Sequence, residues 1–490
     1  MSELHGVETI ELTQGTVAVT TIRTAVIGLA GTAPDAEPGT AATLQTGSVL
    51  LDSVVVFSAK KIGAAGNKYS ITAITAAVDP DKPAVVPATA KFADGMLSIT
   101  LGVDEKGKAV TTAAELVALV NGVATSDIGA AMTGTGEGIV SPFSAPLASG
   151  ADEPYPLNVP VIVVGSTSQA KKLGTTGSLP AALEDVFDQE GALVVVVRAE
   201  EDEKPETQRA NIIAAVSALE DSKSITTYQP RIVIATGFSD DDAVAKQLET
   251  AANKLRGVAY VDSASMATAQ EVVLRRSMFG ARVELLRPLV AKADESGVIV
   301  YRPYSACAAG LRARIDRQKG WWWSKSNQEI MNILGVEQVD SFALNDPNCV
   351  ANLLNMDNVS TIMRSDGFKH WGNRLCTSDP QLRFESVRRT ADVIEDSIEQ
   401  TMLLYVDRPL DKQVADDIIG TINSYMRTLK GLKAIFGGKA WLDEELNTEE
   451  TLAAGVLYID YDFGPKSPLE HLVMRVKINN KYAVTEMVTA

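Results

Sequence analysis

The chain has 490 residues, 46% of them hydrophobic and 22% charged, and its 62 acidic against 45 basic side chains leave a formal net charge of −17. That length accommodates roughly two to four domains, each with its own core, and the acidic balance excludes phosphate-backbone binding by counterion release, which needs clustered Lys and Arg. The three cysteines, Cys307, Cys349 and Cys376, are odd in number and far apart, so neither a disulfide framework nor a CxxC metal site can be drawn, and no metal or cofactor is expected.

The first residues show no basic region followed by an apolar stretch, so no signal peptide is visible and synthesis in a cytoplasm is expected. No apolar run reaches the ~20 residues of a membrane span, and no membrane insertion is expected. Val7, Thr9, Ile10 and Leu12 belong to a weakly alternating run that predicts a strand without a visible partner, and a longer β-rich run follows over 16–30. From about 33 to 156 the composition shifts to Ala, Thr, Val and Gly. Strands are predicted there at 54–57, 69–74 and 96–101, with one helix over 112–121, capped by Thr111 or Thr112 and apolar at Leu116, Leu119 and Val120. This reads as a small β-rich domain inserted into a larger one. Glycines at 134, 136 and 138 make no phosphate loop, because no GxxxxGK[ST] accompanies them.

From 159 the pattern becomes buried strands alternating with amphipathic helices. Strands are predicted at 159–165, 193–199, 231–237 and 257–262, and helices at 179–189, 206–220, 243–256 and 266–277. Near-continuous Val/Ile strands between helices predict a parallel sheet covered on both faces, a three-layer α/β domain. A ligand site in such a domain would lie in the loops after Gly165, Ala199, Gly237 and Asp262. The run Asp240-Asp241-Asp242 precedes a helix and reads as its cap. Histidine occurs only at His5, His370 and His471, so a Ser-His-Asp triad cannot be assembled within the sheet region, and no enzyme activity is expected.

Val414, Ile418, Ile422, Met426 and Leu429 recur at helical spacing and predict a helix over 411–432, closed by Gly437-Gly438. Arg427, Lys430 and Lys433 gather at its end, which suits the helix dipole. Beyond Leu469 the chain alternates again: Leu472, Met474, Val476 and Ile478 point one way, and Val473, Arg475 and Lys477 the other. Asn479-Asn480 permits a tight reversal into a second strand over 482–488, with Tyr482 and Val484. Such a strand must pair within the chain or offer an open edge to another molecule.

Several stretches together carry a resemblance. They are Ala308-Ala309-Gly310-Leu311-Arg312-Ala313-Arg314-Ile315-Asp316, Ser324-Lys325-Ser326-Asn327, Asp366-Gly367 with Trp371-Gly372-Asn373-Arg374, and Arg383-Phe384 through Val387-Arg388-Arg389. Asp460 to Phe463 with Pro465 and Pro468-Leu469-Glu470 completes the set, and Gly66-Asn67 with 147–152 fits the insertion. In order and spacing the chain resembles the tail sheath proteins of contractile-tailed bacteriophages and related contractile injection machines. It departs from their pattern in two places: Lys325 stands where a proline is common before the Ser-Asn pair, and Trp321-Trp322-Trp323 exceeds the single aromatic expected.

The resemblance implies a subtilisin-like α/β core without a triad, an inserted β-rich domain, and an α+β C-terminal domain ending in extended arm strands. The corresponding division is 1–32 (N-terminal arm and first core strand), 33–156 (insertion), 157–365 (α/β domain) and 366–490 (C-terminal domain and arm). It further implies six-fold rings of identical subunits stacked helically around an inner tail tube, with baseplate and tail terminator proteins as further partners, in a virion tail. Arms carrying Val7, Thr9, Ile10, Leu12, Val473, Met474, Val476, Ile478, Tyr482 and Val484 would add strands to neighbouring subunits. Arg427, Lys430 and Lys433 would face the tube. Trp321, Trp322, Trp323 and Trp371 would lie at a domain junction or subunit contact, since three adjacent rings cannot all enter one core. A sheath in a headless particle is the alternative, and a subtilisin-like hydrolase a remote one.

Overall fold

The computed structural model describes residues 18–79, 81, 84–165, 167–294, 296–482 and 486. It is a mixed α/β structure with several sheets, divided into two compact units: Pro34–Pro156 with Lys171–Thr175, and the remainder.

The larger unit is built on a nine-stranded sheet in the order Gln328–Glu329, Phe368–Trp371, Val359–Arg364, Val283–Leu286, Val258–Asp262, Ile232–Ile234, Val26–Thr32, Leu193–Ala199, Val161–Val164. The strands from Val359–Arg364 to Leu193–Ala199 run parallel. Both flanks are antiparallel. The 159–165 segment, expected among parallel strands, is therefore an antiparallel edge, paired among the described residues only with Leu193–Ala199. Edge strands have one neighbour and tolerate either direction, so apolar composition alone does not set their sense. Of the long β-rich run expected over 16–30, the described residues 18–25 are not a strand and Val26 begins one, because polar groups before it find helix partners. Ile22 N–H donates to Ser397 Oγ at 3.1 Å, and Arg389 donates to the Thr24 carbonyl at 3.1 Å.

Successive side chains of Val26–Thr32 serve opposite faces of the sheet. Val26 and Ala30 join a core with Ile212, Val216, Val244 and Leu248, contributed by the helices Pro205–Ala218 and Asp242–Lys254. On the other face a Cβ at Gly31 would meet Ser178 and Leu179 of the helix Ser178–Phe187. That helix packs against Ser305–Gln318, in which a Cβ at Gly310 would come within 2.5 Å of the Val186 carbonyl oxygen. Glycine at 310 therefore sets how closely the two helices approach. Asp241 is the N-cap of Asp242–Lys254, accepting from the Ala243 and Val244 amides.

The same unit continues into the helices Glu385–Met402 and Lys412–Gly431 and a two-stranded antiparallel sheet, Ile435–Leu442 with Ile459–Pro465. Ile394, Ile398, Ile422, Tyr425, Met426 and Leu429 form their core, and Trp321 and Trp322 pack against it. Gly437-Gly438, expected to end the helical segment, lies inside the strand Ile435–Leu442. A Cβ at Gly438 would meet the Asp462 carbonyl at 2.6 Å and the Met426 side chain, so the glycine lets the strand lie close to the helix.

The smaller unit holds a three-stranded sheet, Thr43–Thr46, Val55–Ala59 and Ile128–Met132, and a four-stranded one, Thr89–Ala93, Met96–Leu101, Ser70–Thr75 and Phe143–Pro146. Its helix Ala113–Asn121 starts with a capping box between Thr112 and Glu115. Phe57, Ile71, Leu97, Ile99, Leu101 and Leu116 form its own core.

Candidate functional site

The C-terminal end of the larger unit combines an open-edged sheet with an exposed segment that, among the described residues, belongs to no sheet. Asn423 of the helix Lys412–Gly431 donates to the Ala440 carbonyl (3.1 Å) and accepts from the Ala440 amide (2.8 Å), tying the hairpin to the helix. Among the described residues neither strand of the hairpin has a second strand beside it; Asn423 occupies the outer edge of Ile435–Leu442 at Ala440, and the outer edge of Ile459–Pro465 is open. Phe436, at 69% exposure, stands on this surface.

The alternating segment beyond the hairpin is not a strand in the isolated chain. Residues 466–479 have no regular structure, and Lys481 and Tyr482 are helical where a second strand was expected. Among the described residues the segment joins none of the sheets, and Val473, Met474, Val476 and Ile478 are all exposed, Val476 to 93%. A strand without a ladder has nothing to satisfy its amides except water. Val7, Thr9, Ile10, Leu12 and Val484 lie outside the described residues. Glu470 ties the segment to the body through two hydrogen bonds from Arg374 (2.7 and 2.6 Å).

Arg374 and Glu470 border a groove of about 700 Å³ lined by Trp322, Trp323, Trp371, Asn355 and Lys433 among others. Trp321 and Trp322 meet edge to face, 4.7 Å between centroids, while Trp323 is 49% exposed beside Lys319. The triplet thus splits between a core and an open surface. Arg427 and Lys430 are exposed on Lys412–Gly431, and Lys433 follows in a left-handed conformation (φ 61°). None of the three forms an ion pair among the described residues, so their charges face solvent.

Beneath this surface lies a cluster that the sequence pattern did not single out. Lys325 is fully buried, its ammonium bonded to Glu284 and, at 2.7 Å, to Glu385. Tyr260 donates to Glu385, and its ring lies under the Lys325 ammonium, 4.5 Å away. Arg312 bonds Asp316, which Arg389 also pairs. Burial alone would raise both glutamates and is the largest single influence on each, but Lys325 together with His370 at Glu284, and with Arg312 and Arg389 at Glu385, outweighs it and holds both below the usual range. His370 bridges Tyr304 and Glu284, its Nε2 3.2 Å from Glu284, and burial pushes its pKa down, which keeps the ring neutral.

The helix Glu385–Met402 extends this pattern along its length. Arg282 forks onto Asp392 (2.7 and 2.8 Å), Arg256 bonds Asp396 (2.5 Å) and Glu399 (2.8 Å), and Arg231 also pairs with Asp396. Each arginine stands just before a parallel strand, Val283–Leu286, Val258–Asp262 and Ile232–Ile234 respectively. The acidic positions 385, 392, 396 and 399 recur at helical spacing, and that was the available signal.

The loop after Asp262 was the expected place for a ligand. There Asp262 is buried, accepting from the Ser305 amide (2.7 Å), the Ser305 hydroxyl (2.5 Å) and the Ser239 hydroxyl (3.0 Å). Burial raises its pKa to about 6 despite those bonds. Ser305 is fully buried, and the group binding it is a carboxylate that serves the first residue of a helix. The arrangement holds that helix in place and presents no nucleophile to solvent.

Comparison with known proteins places these features. The profile of the phage tail sheath protein central domain matches residues 209–375, and that of the phage tail sheath C-terminal domain residues 377–479. The chain is 35% identical over 353 residues to the tail sheath protein of Escherichia phage P2, covering 68% of this chain and 89% of that one. It is 30% identical over 520 residues to the tail sheath protein of Burkholderia phage BcepMu, covering 98% of each. Among solved structures, the contracted sheath complex of the extracellular contractile injection system PVC matches with a TM-score of 0.53 at 16% identity, over 67% of this chain and 89% of that one. The contracted helical sheath of the anti-feeding prophage matches with a TM-score of 0.51 at 18% identity, over 66% and 89%. At such identities the structural likeness speaks for the fold, while the sequence relatives speak for the family. The chain belongs to the phage tail sheath protein family, as a structural component of contractile tails.

Proposed function

We propose that this sheath subunit polymerises as six-fold rings stacked helically around an inner tail tube, and that contraction of the lattice drives the tube through a host envelope. The observation that carries this reading is the exposed apolar segment beyond Glu470 together with the open-edged hairpin. Val473, Met474, Val476, Ile478, Tyr482 and Val484, with Val7, Thr9, Ile10 and Leu12, would join neighbouring subunits as added strands. Pairing of this kind between identical chains is heterologous and generates filaments. The open edge of Ile459–Pro465 in the next subunit would receive the segment.

In this reading the covered parallel sheet is a subtilisin-like core retained as a scaffold, within the division 1–32, 33–156, 157–365 and 366–490. It has no catalytic role, in keeping with the burial of Ser305. The Arg231, Arg256 and Arg282 pairs with the helix Glu385–Met402 make the core and the C-terminal helices one rigid piece, so subunits reorient as nearly rigid bodies. Arg427, Lys430 and Lys433 face acidic groups of the tube, Trp323 and Trp371 a neighbouring subunit, and the polymer ends meet baseplate and terminator proteins. The subunit is made in the host cytoplasm and resides in the virion tail.

Negative-stain microscopy of the purified protein tests this: hollow striated tubes are expected, and persistent monomers at high concentration would refute it. Stopping the chain after Lys477, or starting it at Val17, is expected to abolish the tubes while leaving the thermal unfolding transition in place. A sheath in a headless contractile particle is the second reading. The genes adjoining this one separate the two.

A further inference from the structure

The smaller unit carries an apolar tip held rigid by its own loops. Val49, Leu50 and Leu51 are 76%, 96% and 69% exposed, and Met132, at the end of the strand Ile128–Met132, and Ile139 beyond it are also exposed. The tip is closed at its base by the Ser53 amide donating to the Ser48 carbonyl (3.1 Å) and the Ser48 amide donating to Ser53 Oγ (3.1 Å). Asp52, in a left-handed conformation (φ 52°), accepts from the Thr135 and Glu137 amides (both 3.1 Å) and from the Thr135 hydroxyl. The Gly138 amide donates to the Asp52 carbonyl at 3.0 Å. Aliphatic side chains shown on a pre-ordered loop lose little conformational freedom on docking. The tip is rimmed by the acidic Asp52 and Glu137.

At the other end of the same strand, Val55–Ala59, stand Lys60, Lys61 and Ile62, all exposed, Ile62 to 68%. Among the described residues neither lysine nor Glu137 is in an ion pair. A five-residue strand separates the two surfaces by about 17 Å. They are complementary: an apolar knob with an acidic rim at one end, and an apolar residue with a basic rim at the other.

We propose that the 49–51 tip of one subunit docks on the Lys60-Lys61-Ile62 surface of a second copy of this chain, head to tail along the strand axis. A few aliphatic side chains give too little buried area for a stable partnership on their own, which takes about 1,000 Å² or more. Repeated between identical chains already held in a lattice, the same contact acts at high effective concentration and adds along the polymer. Surfaces at opposite ends of one strand make a heterologous, non-closing contact, as a helical assembly requires. The acidic rim disfavours an anionic lipid surface as the occupant. This inference rests on the polymerisation proposed above.

The native cysteines are all buried, so thiols introduced at positions 50 and 62 are the reactive ones. Sheaths assembled from the double variant Leu50→Cys/Ile62→Cys, under mild oxidation, are expected to give a ladder of covalent multimers on a non-reducing gel. Each single variant should stay monomeric, and a mixed assembly of the two should stop at dimers. Leu50→Asp is expected to raise the concentration needed for assembly about fivefold, without changing the melting temperature. Sheaths that form but give no 50–62 bond overturn the proposal. So do dimers from Leu50→Cys alone, which would mean a tip-to-tip contact, or sheath capture by neutral lipid vesicles that Leu50→Asp abolishes. If the unmodified chain makes no sheath at all, the polymerisation reading fails; the bond is then sought in concentrated subunit solution, where its presence supports the contact and its absence overturns it.

Discussion

Glu470 accepts two hydrogen bonds from Arg374, and this pair joins the root of the exposed C-terminal segment to a loop 96 residues earlier in the chain. Two stretches that carried the family resemblance, 371–374 and 468–470, therefore meet. A forked, half-buried arginine–carboxylate pair is stronger than an ordinary surface ion pair, about 1–2 kcal/mol. Glu470→Gln should free the root of the segment and speed tryptic cleavage after Lys466 about five- to thirtyfold. Cleavage after Arg475, already exposed, should be unchanged, and Arg374→Glu with Glu470→Arg should restore the slow rate. Equal rates at Lys466 in wild type and Glu470→Gln would show that the pair holds nothing.

Removing Lys325 should be far more costly. Lys325→Met leaves Glu284 and Glu385 buried without their shared cation, and breaking a buried pair in this way costs about 3–5 kcal/mol. A lower urea midpoint with an unchanged m-value is the expected readout. Adding Glu385→Gln to Lys325→Met should recover part of the loss, since one uncompensated charge then disappears.

Much of the fold was legible because its cause is local. Leu193–Ala199 and Val258–Asp262 are runs of apolar side chains that only a sheet covered on both faces can hide, and Thr112 with Glu115 writes a helix start into four residues. Alternation at 472–478 was equally visible, but it states which side chains share a face and not whether a partner strand is present in the same chain. Gly437-Gly438 read as a stop because glycine is a poor strand former; Met426 and the Asp462 carbonyl, which make it necessary there, come from distant positions. Lys325 was noticed only as a departure from a pattern. Its burial depends on Glu284, Tyr260 and Glu385, each from a different element.

The cluster around His370 predicts loss of stability in acid. Its pKa is lowered in the fold, so the unfolded chain takes up a proton, near pH 6.5, that the folded chain refuses. The contribution is present above about pH 6.5 and is lost as pH falls, by about 1.4 kcal/mol per unit. Glu284 and Glu385, also lowered, add to the loss further down, below the ordinary glutamate range. His370→Gln should flatten the unfolding free energy between pH 7 and 5. An unaltered slope would mean that His370 accepts its proton in place.

Asp262 works in the opposite direction. Its pKa is raised to about 6 from 3.8, so the folded chain binds the proton more tightly, and the contribution present below about pH 4 is lost as pH rises to 6. Asp262→Asn removes that titration. Wild type should therefore gain about 2–3 kcal/mol relative to the variant on going from pH 7 to pH 4, as read from urea unfolding at each pH.

The cations at the end of the helix Lys412–Gly431 give the test of tube contact. Arg427 and Lys430 lie three residues apart on an exposed face, and Lys433 follows where the chain turns. Free charges near a helix C-terminus also favour the helix itself by about 0.3–1 kcal/mol each, so stability and tube binding must be read separately. Lys430→Glu with Lys433→Glu should lower the melting temperature by only a few degrees. If the helix faces acidic groups on the tube, the same variant should fail to co-sediment with preassembled tubes at low salt while still forming sheath without them. Wild-type binding should weaken steeply between about 50 and 300 mM salt, because exposed charge pairs are screened over that range. Unchanged co-sedimentation of the double variant would leave these lysines with the helix dipole alone.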